Sequence, residues 1–360
     1  MWSIVGLARL ENDGVIQLGR GRVISKKDMQ AFEGPYPVYS AAKTGEGRFG
    51  TYGKYDFDEE LITWSVDGGG RLFHRGRHKF SITNVTGFLR ILNPQVLTYR
   101  FLYYALTHLH SNIGFDWVKK AHPSVLRKEY TSIPLPPLAE QKCIVERLDK
   151  AFAEIDKAIA TAEAKEGEVE KLVSETIRQV FQRGGENKKK NFAEVCVLQR
   201  GFDLPKKDRS SGIYPLYSAN GITDYISAPK VQGPAVITGR SGTIGKVHYS
   251  ENDIWPLNTA LYVKDFKGNF PKYVYYFLRS FNLKKYSSGT GVPTLNRNIL
   301  KHELVYVCEG SDRQENKCRI LDKIEGEVSK ISHIQKRQLD LLRRLKASIL
   351  KEELTPSEAV

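Results

Sequence analysis

The sequence repeats itself once, and this repeat constrains the fold more than any other feature. Six segments of the first half recur in the second half, in the same order and at an offset of about 170 to 180 residues; one is YPVYSA at 36–41, which recurs as YPLYSA at 214–219. Six matches in register do not arise by chance, so the chain is a tandem duplication of a unit of about 175 residues. The other matched pairs are 17–28 with 197–208, 62–71 with 237–246, Tyr103-Tyr104 with Tyr275-Tyr276, 123–127 with 293–297, and Lys142-Cys143 with Lys317-Cys318.

Each repeat consists of a globular part followed by a long helix. In the globular parts, short β-prone runs alternate with turns rich in Gly and Asn, and one helical stretch lies within each, at 99–109 and 272–281. The proline-rich segment 133–138 (IPLPPL) cannot be helical. The sequence predicts an α/β (α+β) fold in which two mixed globular domains in tandem are joined by two long antiparallel coiled-coil helices. The predicted boundaries are 1–141 for the first domain, 142–183 for the central helix, 184–314 for the second domain, 315–354 for the C-terminal helix and 355–360 for a disordered tail.

The two long helices carry apolar residues at the spacing of a coiled-coil seam. Successive apolar positions step by four and three, and the remaining faces are polar. Alternatively, each helix packs only on its own domain, but a helix of about 40 residues is about 60 Å long, more than one such domain covers. We therefore predict that the helices pair with each other. The predicted seam residues are Leu148, Phe152, Ile155, Ile159, Val169, Val173 and Val180 in the central helix, and Ile324, Val328, Ile331, Leu342, Leu345 and Ile349 in the C-terminal helix.

The charge of the chain points to a polyanionic partner. The 360 residues carry a net charge of +14, with a net of +5 in residues 1–140 and +8 in residues 184–314. Thirteen of the fourteen excess charges thus lie in two blocks separated by a nearly neutral stretch, as expected for two nucleic-acid contacts held apart by a spacer. No run of apolar residues is long enough to span a membrane, and the four scattered cysteines fit reduced thiols. We expect a cytoplasmic protein.

Motifs of catalysis are weak or missing from the sequence. It contains neither the N-P-P-[FY] motif of amino methyltransferases nor a phosphate-binding P-loop. Asp253, Asp265 and Lys267 formally satisfy the D…[DE]-x-K pattern of Mg²⁺-dependent nucleases, but this pattern is short and the first repeat has no counterpart. His74 and His78 would share a face if they were helical, yet no third metal ligand accompanies them. The sequence therefore favours a binding protein over an enzyme.

The candidate DNA contacts are cations and hydroxyls interleaved with polar and aromatic side chains. The run 71–79 places four of these cations in a loop that differs between the repeats, as base-reading loops would. The run 238–246 reads as a phosphate cradle with exposed backbone amides. The candidates are Lys26, Lys27, Arg71, Arg75, Arg77, Lys79 and Arg127 in the first repeat, and Lys206, Lys207, Arg240, Ser241, Thr243, Lys246 and Arg297 in the second.

Several motifs resemble a known family. The segment 132–141 (SIPLPPLAEQ), followed by a coiled-coil helix, closely resembles the signature that ends a target recognition domain in the specificity subunit of type I restriction-modification systems. Residues 243–246 (TIGK), Asn258 and 291–295 (GVPTL) resemble further motifs of that family, and the resemblance spans essentially the whole chain. It departs at 304–312, which lacks the P-L-P-P element, and at 67–69, where the family often has a G-T-I-G-like turn.

The resemblance implies a non-catalytic reader of double-stranded DNA. In that family each recognition domain reads one half of a bipartite asymmetric site, and the helices set the gap and dock two methyltransferase subunits. S-adenosylmethionine, ATP and Mg²⁺ are then expected on the methyltransferase and restriction subunits, with no cofactor on this chain. Two alternatives stay open: a stand-alone DNA-binding or anti-phage module, and a Mg²⁺-dependent nuclease using Asp253, Asp265 and Lys267.

Overall fold

A computed structural model describes residues 2–42, 45–67, 69–110, 112–116, 118–182, 187–288 and 293–355. The chain divides into two compact units. Unit 1 comprises Met1–Thr161 and Gln338–Val360, and unit 2 comprises Ala162–Arg337. Each unit therefore contains one globular domain and a part of each long helix. Most of the predicted tail, from 356 onward, lies outside the described residues.

Unit 1 is built on a six-stranded sheet in the order β2-β7-β5-β6-β3-β4, antiparallel except where β3 runs parallel to β6. A separate two-stranded ladder joins β1 to β8. The core lies between the large sheet, α3 and the first part of α5, around the fully buried Trp64. The elements are β1 (Ser3–Val5), α1 (Leu7–Asn12), β2 (Ile16–Arg20), α2 (Lys26–Ala31), β3 (Tyr36–Tyr39), β4 (Arg48–Tyr52), β5 (Phe57–Ser65), β6 (Leu72–Ile82), β7 (Thr86–Ile91), α3 (Tyr99–His110), α4 (Pro123–Glu129), β8 (Ile133–Leu135) and α5 (Leu138–Gln182).

Unit 2 repeats this topology in smaller sheets. Its four-stranded sheet, β10-β16-β13-β14, corresponds to β2-β7-β5-β6, and its three-stranded sheet, β12-β11-β15, contains the counterpart of the β3–β4 hairpin. The tandem duplication predicted from sequence is thus present in the strand order itself. The elements are β9 (Asn187–Asn191), α6 (Phe192–Val195), β10 (Val197–Arg200), a 3-10 helix (Lys206–Asp208), β11 (Ser211–Ser218), β12 (Gly221–Ile226), β13 (Ala235–Gly239), β14 (Val247–Ser250), β15 (Trp255–Pro256), β16 (Ala260–Asp265), α7 (Pro271–Ser280), a second 3-10 helix (Leu283–Tyr286), β17 (Ser287–Ser288), β18 (Thr294–Leu295), α8 (Arg297–Leu300), β19 (Leu304–Cys308) and α9 (Ser311–Leu354).

The boundaries of several elements differ from those predicted. Both long helices begin four residues early, at Leu138 and Ser311, because the prolines that prevent helix formation end at position 137 in the first repeat and are missing before Ser311 in the second. Each globular part also contains short helices besides the predicted one. All four cysteines are free. In the part of the chain that the structure describes, no helix has the length and apolar composition needed to cross a membrane.

A buried glutamine fixes the start of each long helix. Gln141, with no exposed surface, donates from Nε2 to the carbonyls of Val96 and Pro136, both at 2.9 Å, and accepts from the Thr98 amide at 3.1 Å. Gln141 thereby forms hydrogen bonds with backbone groups of two loops, the one that precedes α3 and the one between β8 and α5. Burial would otherwise leave these groups without partners.

The second repeat keeps this arrangement without the proline-rich segment. Gln314 accepts from the amide of Phe270 at 2.8 Å and donates to the Cys308 carbonyl at 2.8 Å. This correspondence aligns Gln141 with Gln314, an offset two residues smaller than the Lys142-Cys143 and Lys317-Cys318 match. The match of Lys142-Cys143 with Lys317-Cys318 was therefore wrong. Cys143 and Cys318 do not occupy equivalent positions on their helices, which explains why Cys143 is exposed while Cys318 is buried.

We expect Gln141→Leu to lower the free energy of unfolding by about 3 kcal/mol, because it leaves a buried amide and two carbonyls without partners. Chemical denaturation followed by circular dichroism measures the change. Gln179→Leu is the matched control, since Gln179 is exposed on the same helix and should change stability by less than about 0.5 kcal/mol. Equal effects of the two substitutions would contradict the proposed role of Gln141.

Within each unit the two helix segments run antiparallel. In unit 1, Arg147 pairs with Glu353 at 2.6 Å and Asp156 with Lys346 at 2.6 Å, so residue numbers rise on α5 as they fall on α9. In unit 2, the Lys317 ammonium lies 5.6 Å from the ring centre of Phe181, near the end of α5. The predicted pairing of the helices is present in both units.

The buried stripe of α9 differs in part from the predicted seam. Ile331 and Leu345 are 45% and 49% exposed, so these two seam predictions were wrong. The helix carries two apolar stripes, and the buried one includes polar residues such as Gln314 and Lys346, which the apolar pattern skipped. The remaining predicted positions are buried or partly buried. Further buried apolar residues on the two helices are Ile144, Ala162, Ile177 and Phe181 on α5, and Cys318, Leu321, Leu339, Leu350 and Leu354 on α9.

Candidate nucleic-acid interface

A two-stranded hairpin carries exposed apolar and cationic side chains in each unit. The hairpins are β3–β4 in unit 1 and β11–β12 in unit 2, and each follows a short helical segment that begins with two lysines. Large exposed apolar groups are costly on a soluble surface unless they meet a partner. The two hairpins are therefore the candidate nucleic-acid interfaces of the two units.

The first hairpin surface combines aromatic rings with lysines. The ammonium of Lys54 lies 3.7 Å from the ring centre of Phe32, and that of Lys79 lies 4.8 Å from the ring centre of Tyr55. Phe32, Tyr55 and Phe49 are 41–48% exposed. We define this surface as Lys26, Lys27, Phe32, Phe49, Lys54, Tyr55 and Lys79.

Lys26 and Lys27 lie in the first turn of α2, not in an open loop. Ser25 caps this helix: its hydroxyl accepts from the Asp28 amide at 3.1 Å, and its own amide donates to the Asp28 carboxylate at 2.8 Å. Both lysines are exposed. The cap thus fixes the helix that presents them.

The second hairpin surface has different side chains on the same framework. Ile213 is 79% exposed, Tyr225 51% and Ile222 47%. Lys246 donates to the Asn220 side chain at 2.8 Å, which attaches this predicted contact residue to the hairpin turn. We define this surface as Lys206, Lys207, Ile213, Ile222, Tyr225 and Lys246.

The run 71–79 forms a central strand, β6, and not a loop. Arg71 and Lys79 are therefore separated by about 26 Å along the strand. The pairing of β6 with β5 is irregular between Glu59 and Leu61, so residues two apart do not all face the same side. His74 and His78 also lie on this strand, which removes the helical spacing that a shared metal would need.

Arg75 was a wrong prediction, because its side chain is buried. It is 6% exposed, its guanidinium lies 3.7 Å from the ring centre of Tyr39, and its Nη2 donates to the carbonyl of Glu46 at 2.6 Å. Burial lowers the pKa of Arg75, although the group remains charged at neutral pH. Arg77, by contrast, is exposed and lies 3.9 Å from Asp58, while the exposed Arg71 lies 5.0 Å from the ring centre of Phe73.

Arg127 and Arg297 hold their own domains together. Arg127 on α4 donates to both carboxylate oxygens of Glu11 on α1, and Glu11 in turn accepts from the amide of Leu18. The hydrogen bond from the Arg127 side chain is the main cause of the lowered pKa of Glu11. Arg297 donates to the carbonyl of Leu198, the repeat counterpart of Leu18, at 3.3 Å. Contacts within each domain therefore explain why an arginine occupies this position in both repeats.

The cradle predicted at 238–246 is closed by its own neighbours. The amides of Arg240 and Ser241 donate to the carbonyl of Thr259, and the Gly242 amide donates to the carbonyl of Pro293. Because these amides are already paired, they are not available to a phosphate. Arg240 also donates from Nη1 to the Asn258 carbonyl, and the side chains of Ser241 and Thr243 are partly buried.

The three residues of the nuclease alternative are used locally. Asp265 accepts from the Lys267 amide at 2.8 Å and pairs with the Lys267 ammonium at 2.8 Å. The hydrogen bond from the Lys267 side chain is the main cause of the lowered pKa of Asp265. Asp253 accepts from the amide of Gly233 at 2.9 Å, within a different loop. Among the described residues, no three His, Cys, Asp or Glu side chains are grouped to hold a metal ion.

Two repeats of one topology, each with an exposed hairpin surface, define a two-domain binding protein, and comparison with known sequences identifies its family. Residues 7–164 and 185–340 match the family described as the type I restriction modification DNA specificity domain. The chain belongs to this family.

Sequence relatives agree with this assignment, and a solved structure shares the fold. A putative type I specificity subunit of Mycoplasma pneumoniae is 27% identical over 321 residues, covering 84% of this chain and 85% of the relative. The specificity subunit of the type I restriction enzyme MpnII, also from M. pneumoniae, is 33% identical over 137 residues, or 37% of this chain and 40% of that protein. A chain solved in a study of the assembly and conformational transition of a type I restriction-modification system has a TM-score of 0.69 at 14% identity, covering 99% of this chain and 98% of its own length.

Proposed function

We propose that this chain is the DNA-binding specificity subunit of a type I restriction-modification complex and that each unit reads one half of a bipartite, asymmetric site on double-stranded DNA. The observation that carries the proposal is the pair of hairpin surfaces, which occupy equivalent places in the two repeats but differ in their exposed side chains. A shared framework with different contact residues suits two readers of different sequences.

The long helices have two roles in this proposal. They set the number of unspecified base pairs between the half-sites, and they dock two methyltransferase subunits, with restriction subunits joining where the system has them. Apolar side chains of α9 that are 45–64% exposed support docking, because exposed apolar groups commonly mark interaction sites; they are Ile331 and Ile334 in unit 2, and Leu341 and Leu345 in unit 1.

Catalysis belongs to the partners in this proposal. S-adenosylmethionine for methyl transfer to adenine N6, and ATP and Mg²⁺ for restriction, are bound by the methyltransferase and restriction subunits. The chain itself contributes sequence recognition and geometry. The local ion pair of Asp265 with Lys267 supports a non-catalytic role over the nuclease alternative.

The double substitution Lys26→Ala/Lys27→Ala should weaken DNA binding by about tenfold at moderate salt and lower the slope of log affinity against log salt by about 2, because each lysine neutralises one phosphate. Fluorescence anisotropy with a labelled duplex over a range of salt concentrations measures both values. Lys165→Ala/Lys171→Ala removes the same charge from exposed positions on α5 and serves as the control. A loss of affinity without a change in slope would argue against phosphate contacts at Lys26 and Lys27.

A further inference from the structure

Each unit contains the same polar contact between its globular domain and its long helix. The Tyr104 hydroxyl on α3 donates to the carboxylate of Asp149 on α5, and the Tyr276 hydroxyl on α7 donates to that of Asp322 on α9 at 2.7 Å. Both tyrosines are buried. The tyrosines match in the sequence repeat, and the aspartates are separated by 173 residues, as are the buried glutamines near the starts of the two long helices. The two contacts are therefore structural counterparts.

A cation completes each contact. Arg100, one turn before Tyr104, pairs with Asp149 and donates to the Tyr104 hydroxyl at 2.9 Å. Lys272 stands at the position of Arg100 and pairs with Asp322 at 3.0 Å. The type of cation differs between the units, whereas its charge and its place are the same. We call Arg100, Tyr104 and Asp149 the polar cluster of unit 1, and Lys272, Tyr276 and Asp322 that of unit 2.

The tyrosine hydroxyls remain donors in both clusters. Burial, together with the bonded carboxylates, raises the pKa of Tyr104 and of Tyr276, so both hydroxyls stay protonated. In unit 2 a second carboxylate, that of Glu325, lies 2.8 Å from the Tyr276 hydroxyl, and Arg279 pairs with it. Hydrogen bonds to charged groups have narrower ranges of length and direction than apolar contacts. The clusters therefore restrict how each domain lies on its helix.

Apolar packing already holds the globular domain of unit 1 to its long helix. Phe101, Leu102 and Ala105 of α3 belong to one buried cluster with Leu148 and Phe152 of α5. Apolar surfaces tolerate neighbouring arrangements, and ion pairs at half-buried sites add little stability, because the cost of desolvation offsets their attraction. A polar cluster that is present in both repeats therefore indicates a role in geometry more than in stability.

The polar clusters attach each domain at a second point along its long helix. Asp149 follows Gln141 by eight residues, and Asp322 follows Gln314 by eight, which is about 12 Å along the helix. One attachment point lets a domain pivot on its helix, whereas two separated points fix the direction of the helix. A tilt of about 5° along a helix of about 60 Å moves its far end by about 5 Å, more than the rise of about 3.4 Å per base pair of B-DNA.

We infer that Asp149 and Asp322 are positioning residues for DNA recognition, which fix the angle between each globular domain and its long helix and thereby restrict the complex to one gap length. Each acts through the domain that it orients, and not by contact with DNA. The inference rests on the proposed function, in which the long helices set the gap.

Distances within unit 1 test the positioning role without DNA. Spin labels are attached after Glu33→Cys and Lys157→Cys, at two exposed residues of unit 1, in a Cys143→Ser background that removes the exposed native cysteine. Double electron–electron resonance then measures the distribution of distances between the globular domain and α5. We expect a narrow distribution when the polar cluster is intact.

Removing the polar cluster of unit 1 should broaden this distribution. In the triple variant Arg100→Leu/Tyr104→Phe/Asp149→Leu we expect it to widen by about 2 Å, because a tilt of about 5° produces this displacement about 24 Å along α5 from Gln141, where Lys157 lies. Tyr104→Phe alone removes only the hydroxyl and should widen the distribution in the same way, so the test holds even if the triple variant fails to fold.

Two variants serve as controls for the label distances. Arg100→Lys copies the cation of unit 2 and should keep the distribution narrow. Glu353→Gln breaks an ion pair with Arg147, which joins α5 to α9, and should also keep it narrow. An unchanged distribution in the folded triple variant and in Tyr104→Phe, or equal broadening in Glu353→Gln, overturns the inference.

The effect on the gap is measured by mapping N6-methyladenine after co-expression with a methyltransferase subunit that co-purifies with the chain. Wild type should methylate a split motif with one gap. The triple variant should keep both half-sites but accept gaps that differ by about one base pair or more. A uniform loss of methylation at a single gap would show a purely structural role and overturn the inference. If wild type gives no split motif, the proposed function fails, while the label distances still decide whether the cluster orients the domain.

Discussion

Inserting four residues into α5 after Ala162 and four into α9 after Arg337 will lengthen the gap between the two methylated half-sites by one base pair and leave both half-sites unchanged. Within unit 2, which contains both points, Phe181 contacts Lys317, so contacting residue numbers on α5 and α9 sum to about 500 there as they do in unit 1. Ala162 and Arg337 follow the same relation. The two insertions together therefore keep the same residues of α5 and α9 packed against each other.

The expected step of one base pair follows from rotation as well as from length. Four helical residues add about 6 Å and about 400° of rotation, or about 40° beyond a full turn. One base pair of B-DNA turns the duplex by about 34° and advances it by about 3.4 Å. A domain that keeps facing the same groove must match the rotation first, so one added base pair fits and two do not.

The measurement is a map of N6-methyladenine after co-expression of the chain with a methyltransferase subunit that co-purifies with it. Wild type should give a split motif with a fixed gap, present only when this chain is expressed. A four-residue insertion into α5 alone is the control, and it should abolish methylation because it shifts the seam of α5 against that of α9. An altered half-site with the original gap would contradict the role of the helices as the spacer. A folded, co-purifying complex without new methylation would favour the stand-alone binder.

The sequence predicted the organisation of the chain because that organisation is repeated. Matched segments such as 36–41 and 214–219 occur in order, and in the structure both lie on the first strand of a hairpin. The long helices were predictable because an apolar spacing of four and three residues is a local property. The family signature at 132–141 likewise has a local cause, since Gln141 is the buried residue that fixes the start of α5.

The candidate site was harder to predict, because burial depends on strand pairing. Arg75 and Arg77 look alike in sequence, but an irregular pairing opposite Glu59 buries one and leaves the other exposed. The amides of 240–242 looked free, but Thr259 and Pro293 lie distant in sequence and accept their hydrogen bonds. The exposed aromatic residues of the hairpins were not predicted, because the candidate contacts were chosen by charge and hydroxyl groups. The sequence signal that could have predicted them is the occurrence of aromatic residues next to lysines on both sides of a turn.

Replacing the exposed aromatic residues of the first hairpin surface will degrade one half-site and spare the other. In Phe49→Ala/Tyr55→Ala we expect methylation of the original site to fall by at least about 30-fold, since two lost base contacts at about 1–3 kcal/mol each sum to at least about 2 kcal/mol. The half-site read by unit 1 should become degenerate, while the half-site read by unit 2 and the gap stay fixed. The two rings are exposed, so their removal leaves the core of unit 1 intact.

Unit 2 supplies the reciprocal experiment. Ile213→Ala/Tyr225→Ala removes exposed apolar groups from the second hairpin surface and should degrade only the other half-site. Leu92→Ala controls for loss of an exposed apolar side chain outside the hairpin, because Leu92 is 52% exposed after the end of β7. Changes in both half-sites from either double substitution would mean that the units do not read DNA independently. A uniform loss of methylation with both half-sites intact would instead place the hairpins among the phosphate contacts, and base reading would then belong to other residues of each unit.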